Sequence, residues 1–175
     1  MATPDLNNLL ATLMRELVHG SPEPSDRTYI LNRGDEGLLA SLDRLSAADA
    51  SAIHDGATSI AKHADHLRYG ISLLNKWASG QPIGETDWTE SWQKNTLSDA
   101  EWQTLRDNLR REASAWADAL VTKRDVSDIE AGWMGGSVAH VAYHLGAIRQ
   151  IDRATRGPTA EDEARAEQAL KKSTS

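Results

Sequence analysis

Two histidines separated by three residues stand out near the C-terminal end of the chain, in the phrase GWMGGSVAHVAYHLGAIRQI of residues 132–151. If this phrase is helical, His140 and His144 lie on one face, about 6 Å apart along the helix axis. Their ring nitrogens can then meet around one ion at about 2.1 Å, the usual length of a zinc–imidazole bond. A third imidazole from another helix would complete a set that leaves a position open for water or substrate.

A second pair of histidines lies in the phrase IAKHADHLRYGISLLNKW of residues 60–77. At about 100° per residue, His63 falls near the middle of the apolar stripe of this predicted helix, and His66 falls toward its edge. His63 is therefore the candidate for the third ligand beside His140 and His144. His66 either faces solvent at the helix edge, contacts a cofactor or substrate, or orients a ligand.

A simpler interpretation of these histidines stands beside the metal site. A single histidine on an apolar face is more often a hydrogen-bonded core residue than a ligand, whereas three inward histidines without partners would each cost about 1–3 kcal/mol. Spacing alone leaves both interpretations open. His19 and His54 are not candidates, because we expect the first in the last turn of a helix and the second in a loop.

Several other kinds of site are excluded by the residues they would require. A zincin needs Glu directly after the first histidine of the pair, and Val141 occupies that position. A carboxylate-bridged di-iron bundle needs two inward Glu-x-x-His elements, but only Glu16 and His19 have that spacing. The glycines shortly before His140 do not form a phosphate loop, and we interpret them as the turn that leads into the last long helix: Gly132, Gly135 and Gly136.

The elements that position the histidines are predicted from apolar periodicity and from helix caps. Four long amphipathic helices are expected at residues 3–20, 58–79, 98–120 and 135–155. Thr3 is the expected cap of the first helix, and Ser98 with Glu101 forms a capping box for the third. A short helix is expected at residues 36–45.

This pattern predicts an all-α protein, a four-helix bundle with long connections. Residues 1–158 form the predicted bundle, and residues 159–175 form a polar tail or a short, loosely attached helix. The connection over residues 81–97 is long enough to cross one end of a bundle, with one helical turn at most. Three tryptophans are expected in the core: Trp77, Trp102 and Trp116. Trp88 and Trp92 either form an exposed aromatic patch or pack over the end of the bundle.

Composition narrows the possible partners and chemistry. The 175 residues carry a formal net charge of -7, which opposes nucleic acid as a partner. They contain no cysteine, so any reactive thiol must arrive with a small molecule. No apolar run is long enough to span a bilayer, and the first residues lack the pattern of a signal peptide, so we expect a cytoplasmic protein without a membrane partner.

The inward histidine of residues 60–77, together with the motif H-x-x-x-H-x-G-x-I at residues 140–148, resembles the DinB/YfiT-like superfamily of small four-helix bundle metalloproteins. The resemblance covers roughly residues 5–155. It implies that His63, His140 and His144 bind a divalent ion and that the helices follow an up-down-down-up order. Many members have Gln and His where this chain has Ala147 and Tyr143, so no role is carried over to those two positions.

The resemblance also implies a class of chemistry. Members of the superfamily include thiol-dependent S-transferases and a mycothiol-dependent isomerase. We therefore expect a divalent ion, zinc or nickel in the first place and manganese or iron(II) as alternatives, that activates a water or a low-molecular-weight thiol for attack on a small electrophile. The competing hypothesis is a catalytically silent bundle that acts by dimerising, as a homodimer, or by binding another partner.

Overall fold

The computed structural model describes residues 5–21, 27–53, 58–93 and 96–173. This part of the chain contains seven α-helices and no strand, which confirms the all-α prediction. The helices are α1 (Leu6–His19), α2 (Gly37–Asp43), α3 (Ala47–Ser51), α4 (Ile60–Ala78), α5 (Asp99–Val121), α6 (Asp128–Ile151) and α7 (Ala160–Ser173). Two short 3₁₀ turns lie at Glu90–Trp92 and Arg153–Thr155.

The four long helices each begin at a residue whose side chain accepts hydrogen bonds from backbone N–H groups of the first turn. Asp5 caps α1, Ser59 caps α4, Ser98 caps α5 and Ser127 caps α6. The predicted capping box of Ser98 and Glu101 is present. Thr3, the expected cap of the first helix, lies outside the described residues.

The start of α6 differs from the prediction. Gly132, Gly135 and Gly136 are helical residues and do not form a turn, because α6 begins at Asp128. Ser127 and Glu130 form a second capping box there, and the Glu130 carboxylate also accepts a hydrogen bond from Trp77 Nε1 at 2.9 Å. The helix ends at Ile151 and does not reach residue 155.

The core lies between the four long helices. α1 packs against α5 and α6, and α4 packs against the same two helices. Trp102 and Trp116 are buried as predicted, whereas Trp77 is half-buried at the edge of the core. The apolar stripe of α1 is buried only toward its C-terminal end, since Leu17 is buried and Leu6 is exposed.

Two buried carboxylates hold residues 29–37 against α1 and α6. Glu16 Oε1 accepts hydrogen bonds from the backbone N–H groups of Tyr29, Ile30 and Leu31 at 2.7–3.0 Å. Asp35 accepts from Gly37 N at 2.8 Å and from Arg149 Nη2 on α6 at 2.7 Å. Such bonds satisfy backbone groups that the loop would otherwise leave unpaired.

Helix α7 contacts the segment before α2 through an exposed ion pair. The Arg33 guanidinium lies 3.2 Å from the carboxylate of Glu167 on α7.

Within the described residues, no helix is long and apolar enough to cross a membrane.

Candidate metal centre

Helices α4 and α6 bring four imidazole rings together in the interior. His63 and His66 come from α4, and His140 and His144 come from α6. His140 Nε2 lies 2.9 Å from His144 Nε2 and 3.1 Å from His66 Nε2. His63 meets the cluster on its other side, with its Nδ1 atom 2.7 Å from Nδ1 of His144.

Three of these rings can share one ion. One ligand nitrogen from each of His66, His140 and His144 lies within 4.8 Å of the other two. Nitrogens bound at about 2.1 Å to one ion are separated by about 3.0–3.4 Å, depending on whether the coordination is octahedral or tetrahedral. The Nε2 separations of 2.9 and 3.1 Å in this set are close to that range, so the three histidines could bind a metal ion.

The predicted ligand set and this geometric set share two members. The apolar pattern of α4 predicts His63 as the partner of His140 and His144, whereas the geometry groups His66 with them. His144 directs one ring nitrogen toward His63 and the other toward His140, and a ring that binds one ion uses a single nitrogen. The assignment of His63 as the third ligand stays a prediction.

The hydrogen bonds around His66 favour one of its tautomers. When the Ser91 hydroxyl donates to the Trp88 carbonyl at 2.9 Å, it accepts from His66 Nδ1 at 3.0 Å. In that tautomer His66 Nε2 is unprotonated, and it lies 3.1 Å from His140 Nε2. One N–H on His140 cannot serve both His66 and His144 well, whereas a cation would satisfy all three Nε2 lone pairs.

Burial keeps the four rings neutral. Desolvation, followed by the neighbouring His140 and His63, lowers the pKa of His66 to about 4. Desolvation, followed by the other three rings, lowers the pKa of His144 to about 3. Burial also lowers the pKa values of His63 and His140. Neutral imidazole is the form that binds metal, so the cluster is ready to ligate at neutral pH.

The connection between α4 and α5 covers the cluster. Its 3₁₀ turn stacks Trp92 on His66, with ring centroids 4.4 Å apart, and places Trp88 5.6 Å from the same ring. His66 is therefore buried, and the interpretation of this residue as a solvated helix edge is wrong. Trp92 is half-buried over the histidines, while Trp88 is 46% exposed.

Ser91 was not identified from the sequence as part of the site. Its role depends on a turn of the long connection folding over α4, and periodicity does not predict such a contact. A signal for His66 was present, because residues three apart share a helix face and His63 and His66 have that spacing.

The remaining candidates lie away from the cluster. His19 is exposed in the last turn of α1, as expected, and His54 lies outside the described residues. Tyr143 is 70% exposed and meets the His144 ring only edge-on, at 5.0 Å. Ala147 is half-buried one turn beyond His144.

An apolar cavity of about 430 Å³ borders the cluster. His140 forms part of its wall, so the cavity and the histidines meet at one ring. Trp88 and Trp133 provide its aromatic walls. A small molecule in this cavity would contact the His140 ring.

No family model, curated protein or solved structure that was compared with the chain matches it.

Proposed function

We propose that the protein is a metalloenzyme that holds a divalent ion on His66, His140 and His144. The approach of the Nε2 atoms of His66 and His144 to 3.1 and 2.9 Å from His140 Nε2 is the observation that supports this assignment. In this proposal Ser91 accepts from Nδ1 of His66, and His63 accepts from Nδ1 of His144. Metal-binding histidines usually donate their second ring N–H in this way, which fixes the ring orientation.

The chemistry we propose follows from the ligand type. An ion held by three neutral imidazoles keeps its positive charge and an open position, and it would lower the pKa of a bound water or low-molecular-weight thiol to give a nucleophile. The chain has no cysteine, so a thiol would be supplied by a small cofactor. The reaction class is thiol S-transfer or hydrolysis of a small electrophile.

The resemblance to the DinB/YfiT-like superfamily supports the thiol reaction and the up-down-down-up bundle. The packing of α1 and α4 each against α5 and α6 is compatible with that order. For the ion we propose zinc or nickel, with manganese or iron(II) as alternatives, since all four accept imidazole.

Metal analysis tests the proposal. The protein is purified without added metal and compared with His140→Ala and with His19→Ala, a control at an exposed histidine. We expect about one ion per chain in the native protein and the control, and none in His140→Ala. Metal retained by His140→Ala would remove the ligand assignment, and metal absent from all three would remove the proposal.

Thiol transfer is tested on the metal-loaded protein with glutathione or mycothiol and monobromobimane. The thiolate sulfur would form a bond to carbon and bromide would leave with its electron pair. We expect a rate above the uncatalysed background that is lost in His140→Ala. A rate equal to background with every thiol would contradict thiol transfer.

A second candidate is a silent bundle that dimerises. Its support is the exposed apolar surface of α6, where Ile129 is 69% exposed and Trp133 is partly exposed. Light scattering of the eluted protein tests it. A stable dimer that Ile129→Lys converts to monomers, in a protein without metal, would favour this candidate.

A further inference from the structure

The cavity beside the histidines has three walls of different origin. Residues Gly70, Ile71 and Leu74 of α4 form one wall, and Ile83, Thr86 and Trp88 of the connection form another. The third wall belongs to α6 and includes Gly132, Trp133 and Gly136. Its volume of about 430 Å³ lies within the range of about 300–1,000 Å³ that is typical of small-molecule sites.

The space depends on glycines. A Cβ atom at Gly70 would lie 3.4 Å from Trp88 and 3.8 Å from His140. The absence of a side chain at Gly70 therefore lets the indole and the imidazole both lie close to the backbone of α4. A Cβ at Gly132 or Gly136 would meet nothing within 4 Å, because both face open space on the cavity side. Each of these three glycines lies inside a helix, where glycine is less favourable than alanine by about 1 kcal/mol. Helix stability therefore does not explain why glycine occurs at these three places along the cavity.

Among the described residues that line the cavity, none is Asp, Glu, Lys or Arg. The Ser137 hydroxyl is already engaged, because it accepts from Trp116 Nε1 at 2.8 Å and donates to the Met134 carbonyl at 2.7 Å. A charged group among these apolar side chains, away from the ion proposed on the histidines, would lose its hydration without gaining a partner, and an apolar group would gain from burial.

His140 determines which part of the cavity lies next to the histidine cluster, and therefore where the reactive end of such a ligand must lie. This ring belongs both to the cavity wall and to the cluster of Nε2 atoms. A molecule whose apolar body fills the space between Trp88 and Trp133 therefore places one end against the imidazoles.

We propose that this cavity binds the apolar body of the substrate, so that the enzyme accepts neutral, largely apolar electrophiles and discriminates against charged ones. The assignment of the ligand as substrate rests on the proposed function. The selectivity of the cavity for neutral molecules does not depend on the proposed function, and it is measured separately.

Ligand binding is measured with N-phenyl-1-naphthylamine, a neutral fluorescent probe, and with its anionic relative 8-anilinonaphthalene-1-sulfonate. Gly136→Leu places an isobutyl group in the cavity. Gly146→Leu is the matched control, because Gly146 is an exposed residue of the same helix, lies outside the cavity and has nothing within 4 Å of its Cβ position. Gly132→Leu is a second filling variant, and circular dichroism verifies the helix content of each.

We expect the neutral probe to bind the native protein and Gly146→Leu equally, and to bind both filling variants at least tenfold more weakly. The anionic probe is expected to bind the native protein at least tenfold more weakly than the neutral one. Equal binding of the neutral probe to native, Gly132→Leu and Gly136→Leu proteins would overturn the site. Equal binding of the two probes to the native protein would overturn the selectivity.

The two proposals fail separately. Probe binding is repeated after removal of metal with EDTA, where we expect it to persist. If metal is absent but the filling variants still exclude the probe, the cavity stands without the metalloenzyme. If transfer to monobromobimane is detected, its trimethylammonium analogue should react with a kcat/KM at least tenfold lower, and equal values would overturn the substrate class alone.

Discussion

The Nδ1 atoms of His63 and His144 lie 2.7 Å apart, closer than the 2.9 and 3.1 Å that separate His140 Nε2 from the Nε2 atoms of His144 and His66. One of the two rings therefore donates a hydrogen bond to the other. His144 thus connects the ligand face of the cluster to a partner behind it. This relationship separates the roles of the two α4 histidines.

Replacement of each α4 histidine by alanine tests these roles. We expect His66→Ala to lose the ion and His63→Ala to retain it, with metal affinity weaker by about 10–100-fold because His144 loses its acceptor. Metal affinity is measured by competition with a chromophoric chelator. The opposite result, loss of metal in His63→Ala and retention in His66→Ala, would support the ligand set expected from the sequence.

Ser91→Ala removes the acceptor of His66 Nδ1 and leaves every proposed ligand in the sequence. We expect metal affinity to fall by about tenfold or more, because the ring loses its fixed orientation and proton position. Ser79→Ala is the control, since the Ser79 hydroxyl bonds only to the Lys76 carbonyl at the exposed end of α4. Unchanged affinity in Ser91→Ala would show that His66 does not depend on this hydrogen bond.

The buried ion pair of Asp35 and Arg149 is expected to hold the segment before α2 onto α6. Arg149→Ala leaves the Asp35 carboxylate buried without its cation, which should lower the free energy of unfolding by about 3–5 kcal/mol. Arg15→Ala breaks an exposed pair with Asp118 and should cost about 0–1 kcal/mol. Urea unfolding measures both. Similar losses in free energy of unfolding for Arg149→Ala and Arg15→Ala would show that the buried ion pair contributes no more than the exposed one.

Glu130 gives the start of α6 a dependence on pH. Hydrogen bonds from the backbone and side chain of Ser127 and from Trp77 hold the pKa of this carboxyl below its usual 4.5. A lowered pKa in the folded state stabilises the protein above pH 4.5, and this contribution is lost as pH falls through the folded-state pKa. The unfolding temperature of Glu130→Gln should therefore lie below that of the native protein at pH 6, and the difference should shrink below pH 4.5. A difference that does not change with pH would contradict this account.

Apolar periodicity predicted where the helices lie more accurately than it predicted which histidines are buried. The stripe of residues 60–77 correctly indicated a helix that turns His63 inward. The burial of His66 was not predicted, because it depends on Trp92, which reaches the ring from a connection without helical periodicity. Burial at a helix edge is decided by whatever folds over that edge, and the sequence of the helix does not contain this information.

The start of α6 shows a different kind of error. Three glycines within five residues indicated a turn, since each one disfavours a helix by about 1 kcal/mol. Ser127 and Glu130 carry the opposing signal, a capping box that begins the helix before the glycines. Gly132 and Gly136 lie in the side wall of the cavity, and that wall exists only after α4 and the connection have packed.

The stacking of Trp92 on His66 places an indole fluorophore at the edge of the cluster, with 4.4 Å between ring centroids. Emission from this tryptophan should respond directly to occupancy, since an open-shell cation such as nickel or copper(II) quenches a nearby indole by electron or energy transfer and closed-shell zinc does not. Titration of the purified chain with these ions, followed by its own emission, would thus report loading without any added dye.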